Sequence, residues 1–168
     1  MKKTIVAAFL ALAGCGPFWV NPYITVKDSN LNWVEIHYYN LNCDPVRRIS
    51  VFLSGAGYVK VAKGTSELVS NDFAKRYGDD NWEDIKTIRR NVDRKHVKDI
   101  FQNLVNYGLL DTDKHFQGSK KKKFERFMAV KANIDNLAYL QQENIYEVSP
   151  ELAEQLYDVI QEFKDVTR

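Results

Sequence analysis

Trp33-Val34-Glu35-Ile36-His37-Tyr38-Tyr39, then Arg48-Ile49-Ser50-Val51-Phe52-Leu53, then Tyr58-Val59-Lys60-Val61: three stretches in which apolar and polar residues alternate. A period of two sends successive side chains to opposite faces of an extended chain. Val34, Ile36 and Tyr38 therefore share one face of the first strand. Ile49, Val51 and Leu53 share one face of the second, and Val59 and Val61 one face of the third. Asn42-Cys43-Asp44-Pro45 separates the first two stretches and Gly55-Ala56-Gly57 the last two. Both connections are built from turn-forming residues. Connections this short bring consecutive strands back antiparallel, so the region predicts a three-strand meander with one apolar face.

That face needs a cover. Val97, Ile100, Phe101, Leu104 and Val105 follow the i, i+3, i+4, i+7, i+8 spacing of an amphipathic helix, with Asp93 placed to cap its start and Gly108 to end it. Leu152, Leu156, Val159, Ile160 and Phe163 form a second such stripe, opened by Ser149-Pro150. Between the helices, Phe124–Ile134 and Leu137–Gln141 read as strands joined by a tight Asp135-Asn136 turn. The polar stretch from Gly64 to Asp84 predicts a short helix over Ser70–Tyr77, and Ile85–Val92 a further strand. The fold class expected is α+β: an antiparallel sheet built from hairpins, with two amphipathic helices packed on one face.

The chain has 168 residues, 45% of them hydrophobic and 27% charged. This is the composition of one globular domain able to bury a core. The formal charge of +2 comes from Lys2 and Lys3: without them 22 of the 24 basic residues remain, against 22 acidic. A neutral mature chain gives no general argument for nucleic acid as a partner.

The first residues divide into three parts. Lys2 and Lys3 are basic, Thr4–Leu12 is short and mostly apolar, and Leu12-Ala13-Gly14-Cys15 closes the segment. The apolar run is too short to span a bilayer and suits a signal peptide. Its ending resembles the lipobox of bacterial lipoproteins: Leu, two small residues and Cys. The resemblance implies that cleavage precedes Cys15 and that the Cys15 thiol carries the lipid, several acyl chains giving lasting anchorage. An ordinary secretory signal remains the alternative, since Ala11-Leu12-Ala13 fits its cleavage pattern and would leave Cys15 free to pair with Cys43. The expected organisation is a signal peptide over residues 1–14, a lipidated N-terminus and tether over 15–32, and a single domain over 33–168. Gly16 beside the lipidated residue resembles lipoproteins sent to the outer membrane, facing the periplasm, where a cell has two membranes.

Chemistry is sparse along the remaining chain. His37, His96 and His115 have no metal-ligand spacing, and His37 and His96 fall on polar faces, where a solvated role is expected. Gly55-Ala56-Gly57 precedes a strand rather than the helix that a phosphate loop needs. Asp79, Asp80, Glu83 and Asp84 crowd carboxylates around Trp82. They lack the ligand order of a calcium loop, so a solvated acidic loop is favoured. Lys120, Lys121, Lys122 and Lys123, with Arg126, form the densest basic patch, a candidate contact for anionic lipid or a partner. No cofactor or metal is expected. The Gly-x-Gly hairpin within Ile49–Val61, with the helix ending Leu104-Val105-Asn106-Tyr107-Gly108-Leu109, resembles small bacterial lipoproteins of uncharacterised function. This resemblance implies an exported α+β domain and supplies no site residues.

Two functional classes follow. The favoured one is a non-enzymatic, membrane-anchored binding or structural module of the cell envelope, with a protein or polymer partner. The alternative is an envelope enzyme whose residues assemble only in the fold. A pocket collecting His, Asp or Glu with perturbed pKa values argues for the second class.

Overall fold

The alternation beginning at Trp33 is realised as strand β1 (Trp33–Asn40), followed by β2 (Val46–Ser54) and β3 (Tyr58–Ser66). A computed structural model describes residues 24–66, 82–111, 125–141 and 144–165. The short helix expected over Ser70–Tyr77 lies outside these residues. Next come strand β4 (Glu83–Asn91), helix α1 (Arg94–Asn106), strands β5 (Arg126–Ile134) and β6 (Leu137–Gln141), a short helix α2 (Ile145–Val148) and helix α3 (Pro150–Lys164). The fold is α+β. Among the described residues six strands join one antiparallel sheet in the order β4-β3-β2-β1-β5-β6.

β1 lies inside the sheet, with β2 on one side and β5 on the other. Val34 is opposite both Leu53 and Ala132, Ile36 opposite Val51 and Val130, and Tyr38 opposite Ile49 and Met128. These residues occupy one sheet face and belong to the main hydrophobic core, except Ile49, which is partly buried and packs against it. The same core takes in Val97, Ile100, Phe101, Leu104 and Val105 of α1, and Leu152, Ala153, Leu156, Val159, Ile160 and Phe163 of α3. Both expected helical stripes are thus buried. Between the helices, His96 Nε2 meets Glu162 Oε1 at 2.5 Å and Asn103 donates to Gln155 at 2.7 Å. As one helix advances the other retreats, so α1 and α3 run antiparallel.

Helix termini leave backbone groups that need partners. Asp93 caps α1 as expected, its carboxylate accepting from Lys95 N. Ser149 stands at the N-cap of α3, but its hydroxyl makes no capping bond there. It also ends α2, and its backbone N–H donates to Ile145 O instead. The buried Asn144 solves a different problem. β6 stops opposite Val130, so the outer edge of β5 continues past it. There the Asn144 side chain accepts from Met128 N (3.2 Å) and donates to Arg126 O (3.1 Å), while also accepting from Tyr146 N to start α2. A side-chain amide takes the place of strand backbone.

The stretch before β1 is irregular, as its composition suggests, yet the domain holds it from Ile24 onward. Val26 is fully buried in the main core. Gln102 of α1 donates to Ile24 O and accepts from Val26 N. Asp135 and Asn136, both with positive φ, make the tight turn between β5 and β6. Asp135 then accepts from Lys27 N and receives a bond from the Asn32 amide. Gly55 N donates to Asn32 O, and a Cβ on Gly55 would lie 2.0 Å from Ser29 O. Only glycine allows the β2–β3 turn to approach this segment so closely.

Phe101→Ala should lower unfolding free energy by about 3–5 kcal/mol, whereas Asp99→Ala, on the exposed side of α1, should change it by less than about 0.5 kcal/mol. Asn144→Ala orphans backbone groups and should cost about 1–3 kcal/mol. Urea denaturation reads all three, and equal effects of the two α1 changes would refute the helical register.

Candidate functional site

The period that sends Val34, Ile36 and Tyr38 into the core sends Glu35, His37 and Tyr39 to the opposite face of β1. The hairpin register then sets Phe52 opposite Glu35, Ser50 opposite His37 and Arg48 opposite Tyr39. On the next strand Lys60 stands opposite Phe52, Ala62 opposite Ser50 and Gly64 opposite Arg48. Thr87 of β4 completes the row through Ala62. Eight or nine residues per strand thus bring together side chains far apart in sequence.

Three of these side chains are sealed from water although no helix of the main core lies over them. Tyr39 is fully buried, and His37 and Arg48 are only 3% and 1% exposed. Arg48 is stacked between aromatic rings. Its guanidinium carbon lies 3.8 Å from the centre of the Trp82 ring and 5.3 Å from that of Tyr39. Burying an isolated charge costs several kcal/mol, and a desolvated cation–π contact returns about 2 kcal/mol. Trp82 reaches this place because Gly64 is glycine: a Cβ there would lie 3.1 Å from Trp82 Cε3 and 2.6 Å from Glu83 O. The β3–β4 register shifts between Lys63 and Thr65, at the same point.

A polar chain runs outward from Arg48. Its Nη2 lies 3.3 Å from His37 Nδ1, and His37 Nε2 lies 3.1 Å from Glu35 Oε1. A guanidinium can only donate, so Nδ1 is the acceptor and the imidazole proton sits on Nε2, donated to Glu35. Burial drives the His37 pKa below its ordinary value of 6.5, against the pull of Glu35 and with the help of Arg48. The hydrogen bond from His37 holds the Glu35 carboxyl below its ordinary 4.5, outweighing partial desolvation, with Lys131 and Lys60 adding to the effect. Glu35 is therefore a carboxylate and His37 a neutral imidazole at neutral pH.

Glu35 and His37 of this chain line a solvent-open pocket of about 210 Å³, together with Ser50, Phe52, Lys60, Trp82 and Thr87. The Glu35 side chain is 33% exposed, and its second oxygen has no hydrogen-bond partner among the described residues. Arg48 and His37 thus orient an accessible carboxylate from below.

The expected solvated role of His37 is corrected: the ring is buried. Alternation placed it on the right face, but Arg48, whose guanidinium meets the ring, comes from the neighbouring strand β2. His96 is half-exposed and engaged with Glu162. Arg126 lies on the other side of the sheet, its guanidinium 5.6 Å from the Tyr157 ring centre. Its companions Lys120–Lys123 lie outside the described residues, as do Cys15, His115, Asp79 and Asp80. Glu83 and Asp84 are exposed at the start of β4, and Trp82, read as part of an acidic loop, belongs to the pocket. Cys43 is half-buried in the β1–β2 connection. Glu35, Arg48, Ser50, Lys60 and Thr87 drew no attention from sequence. The available signal was Glu-x-His at strand spacing, with an Arg brought beside it once the hairpin register is assigned.

No protein-family model matches the chain, and no curated protein is similar to it. The pocket is read from its own chemistry.

A buried neutral histidine resists protonation in the folded state while the unfolded chain accepts a proton near pH 6.5. Stability is therefore fully present above that pH and falls as pH drops through it toward the folded pKa. The Glu35 contribution, present above about pH 4.5, is lost in the same direction further down. Thermal melts at pH 7, 6 and 5 should show a decline that His37→Gln, which cannot titrate, reduces. Parallel declines in both proteins would refute the assignment of a buried neutral imidazole.

Proposed function

We propose that this protein is a lipid-anchored binding module of the bacterial cell envelope. The observation that carries the reading is the Glu35–His37–Arg48 chain, which presents one ionised carboxylate at the floor of an open pocket. The lipobox ending at Cys15 supports the address. No helix among the described residues is long and apolar enough to cross a membrane, so acyl chains on Cys15 are the anchor this reading relies on. In the two-membrane case the module sits on the outer membrane and faces the periplasm. The arrangement reads as two amphipathic helices covering one sheet face, supported by the burial of both stripes in a single core. The opposite face then meets a partner, an envelope protein or polymer.

The pocket collects a glutamate and a histidine with shifted pKa values, which favours the second reading, an envelope enzyme. General-base catalysis requires a ring nitrogen within reach of the substrate proton and free to take it. In His37 the Nδ1 lone pair accepts from Arg48 and Nε2–H is committed to Glu35. The imidazole is better suited to orienting Glu35 than to moving protons. Binding remains the stronger reading.

In cells given a fatty-acid probe, the wild-type protein should carry label and sediment with membranes, and Cys15→Ser should lose the label and either persist uncleaved or be released after cleavage at Ala13. An unlabelled wild type with a Cys15–Cys43 disulfide would make it a plain secreted protein. Affinity capture from native envelope tests the pocket. Glu35→Ala should release material that the wild type retains, in a protein that still unfolds cooperatively although at a lower temperature, since His37 loses its acceptor. Retention of the same material by both would remove the pocket from the function.

A further inference from the structure

The pocket is small. Sites for drug-sized molecules span about 300–1,000 Å³, whereas this one measures about 210 Å³. It therefore has room for one ring or one side chain, and its open mouth on a sheet face lets a longer chain continue on either side.

Its groups divide by chemistry. Glu35 offers a carboxylate acceptor whose orientation is fixed from beneath. Ser50 and Thr87 each bring a hydroxyl that donates and accepts. Phe52 is half-buried between Trp33, stacked at 6.2 Å, and Tyr58, at 6.4 Å. It offers an apolar surface to a flat partner. Together these suit a polyhydroxylated ring: hydroxyls for the acceptor, a C–H face for the aromatic.

The charges refine the class. Lys60 lines the pocket and makes no ion pair among the described residues. Arg89 stands opposite Lys60 on β4, and Lys131 opposite Glu35 on β5, so both share the pocket's sheet face. Lys131 and Lys60 both act on Glu35, with Arg48 behind His37 and Arg89 farther out on the same face. A cationic ligand is disfavoured by this field. A simple inorganic anion is opposed by Glu35, which needs a donor. The combination asks for a hydroxylated ring that also carries negative charge.

We propose that the pocket holds one residue of an acidic polysaccharide, a pyranose bearing a carboxylate, with its hydroxyls on Glu35 and its acid group toward Lys60. The inference rests on the binding-module reading and names the partner as a polymer. It assigns Lys60 the selection for charge and Glu35 the hydrogen bonding of the ring.

The test is calorimetric titration of the detergent-solubilised full-length protein with α-1,4-linked trigalacturonate. Maltotriose serves as the neutral sugar and tri-glutamate as the acidic peptide. Trigalacturonate should bind with an affinity that falls as salt is raised, and maltotriose about tenfold more weakly or worse. Lys60→Gln should weaken trigalacturonate about tenfold and leave maltotriose unaffected, whereas Glu35→Gln should weaken both sugars. Equal binding of the two sugars, indifference to Lys60→Gln, or tighter binding of tri-glutamate would each overturn the proposal. So would failure of both sugars to bind. If both fail while Glu35→Ala still releases material captured from envelope, the binding module stands with a different partner. If that release is absent as well, both readings fall.

Discussion

β1 has backbone partners on both sides, and the alternation of its side chains sets the character of both sheet faces. Its register with β2 and β5 stacks Val34, Ile36 and Tyr38 among Leu53, Val51, Ile49, Ala132, Val130 and Met128. A slip of one residue would exchange the faces, turning Glu35, His37 and Arg48 into the main core and the apolar row out of it. Burial of the apolar row therefore enforces the register of the polar row. The pocket is held in place by the stability of the opposite face of the same strands.

The polar face shows the cost of that arrangement. A fully buried arginine and a nearly buried histidine are poor stabilisers beside apolar residues of similar size. Here they are accommodated by two aromatic rings and a hydrogen-bonded path that ends in a carboxylate near water. The guanidinium fixes which nitrogen of His37 carries the proton, and that proton fixes Glu35. Local burial is exchanged for the orientation of one group, a common compromise at sites where a ligand is recognised. Gly64 and the register shift beside it let Trp82 close over Arg48.

Residues 24–32 connect the two parts of the proposed function. They carry little regular structure, yet they bond to α1 through Gln102 and to the β5–β6 turn through Asp135. Asn32 bridges Lys27, Asp135 and Gly55. A lipid on Cys15 would thus lead into a segment fixed to the domain rather than a free strand of chain. At Ile24 this segment is bonded to α1 through Gln102. Under the proposed anchoring, the domain's orientation at the membrane depends on this seam.

Much of the architecture was written in local pattern. Period two marked β1 and β2, period 3.6 marked α1 and α3 with their buried residues, and Asp135-Asn136 marked its turn, because each of these depends on neighbours a few residues away. The Leu12–Cys15 ending that resembles a lipobox is likewise a local pattern, independent of the domain that follows. The pairing of β5 with β1 was not readable, since strands separated by nearly ninety residues choose partners through the burial of a shared face. Ser149 looked like a helix cap but serves two helices, and Val26 looked like tether but fills the core. His37 on its polar face looked solvated. Sequence alone determined that its side chain points away from the apolar core. Only the tertiary structure decided that it is buried there, because Arg48, which meets its ring, arrives on β2 through a register that no single segment specifies.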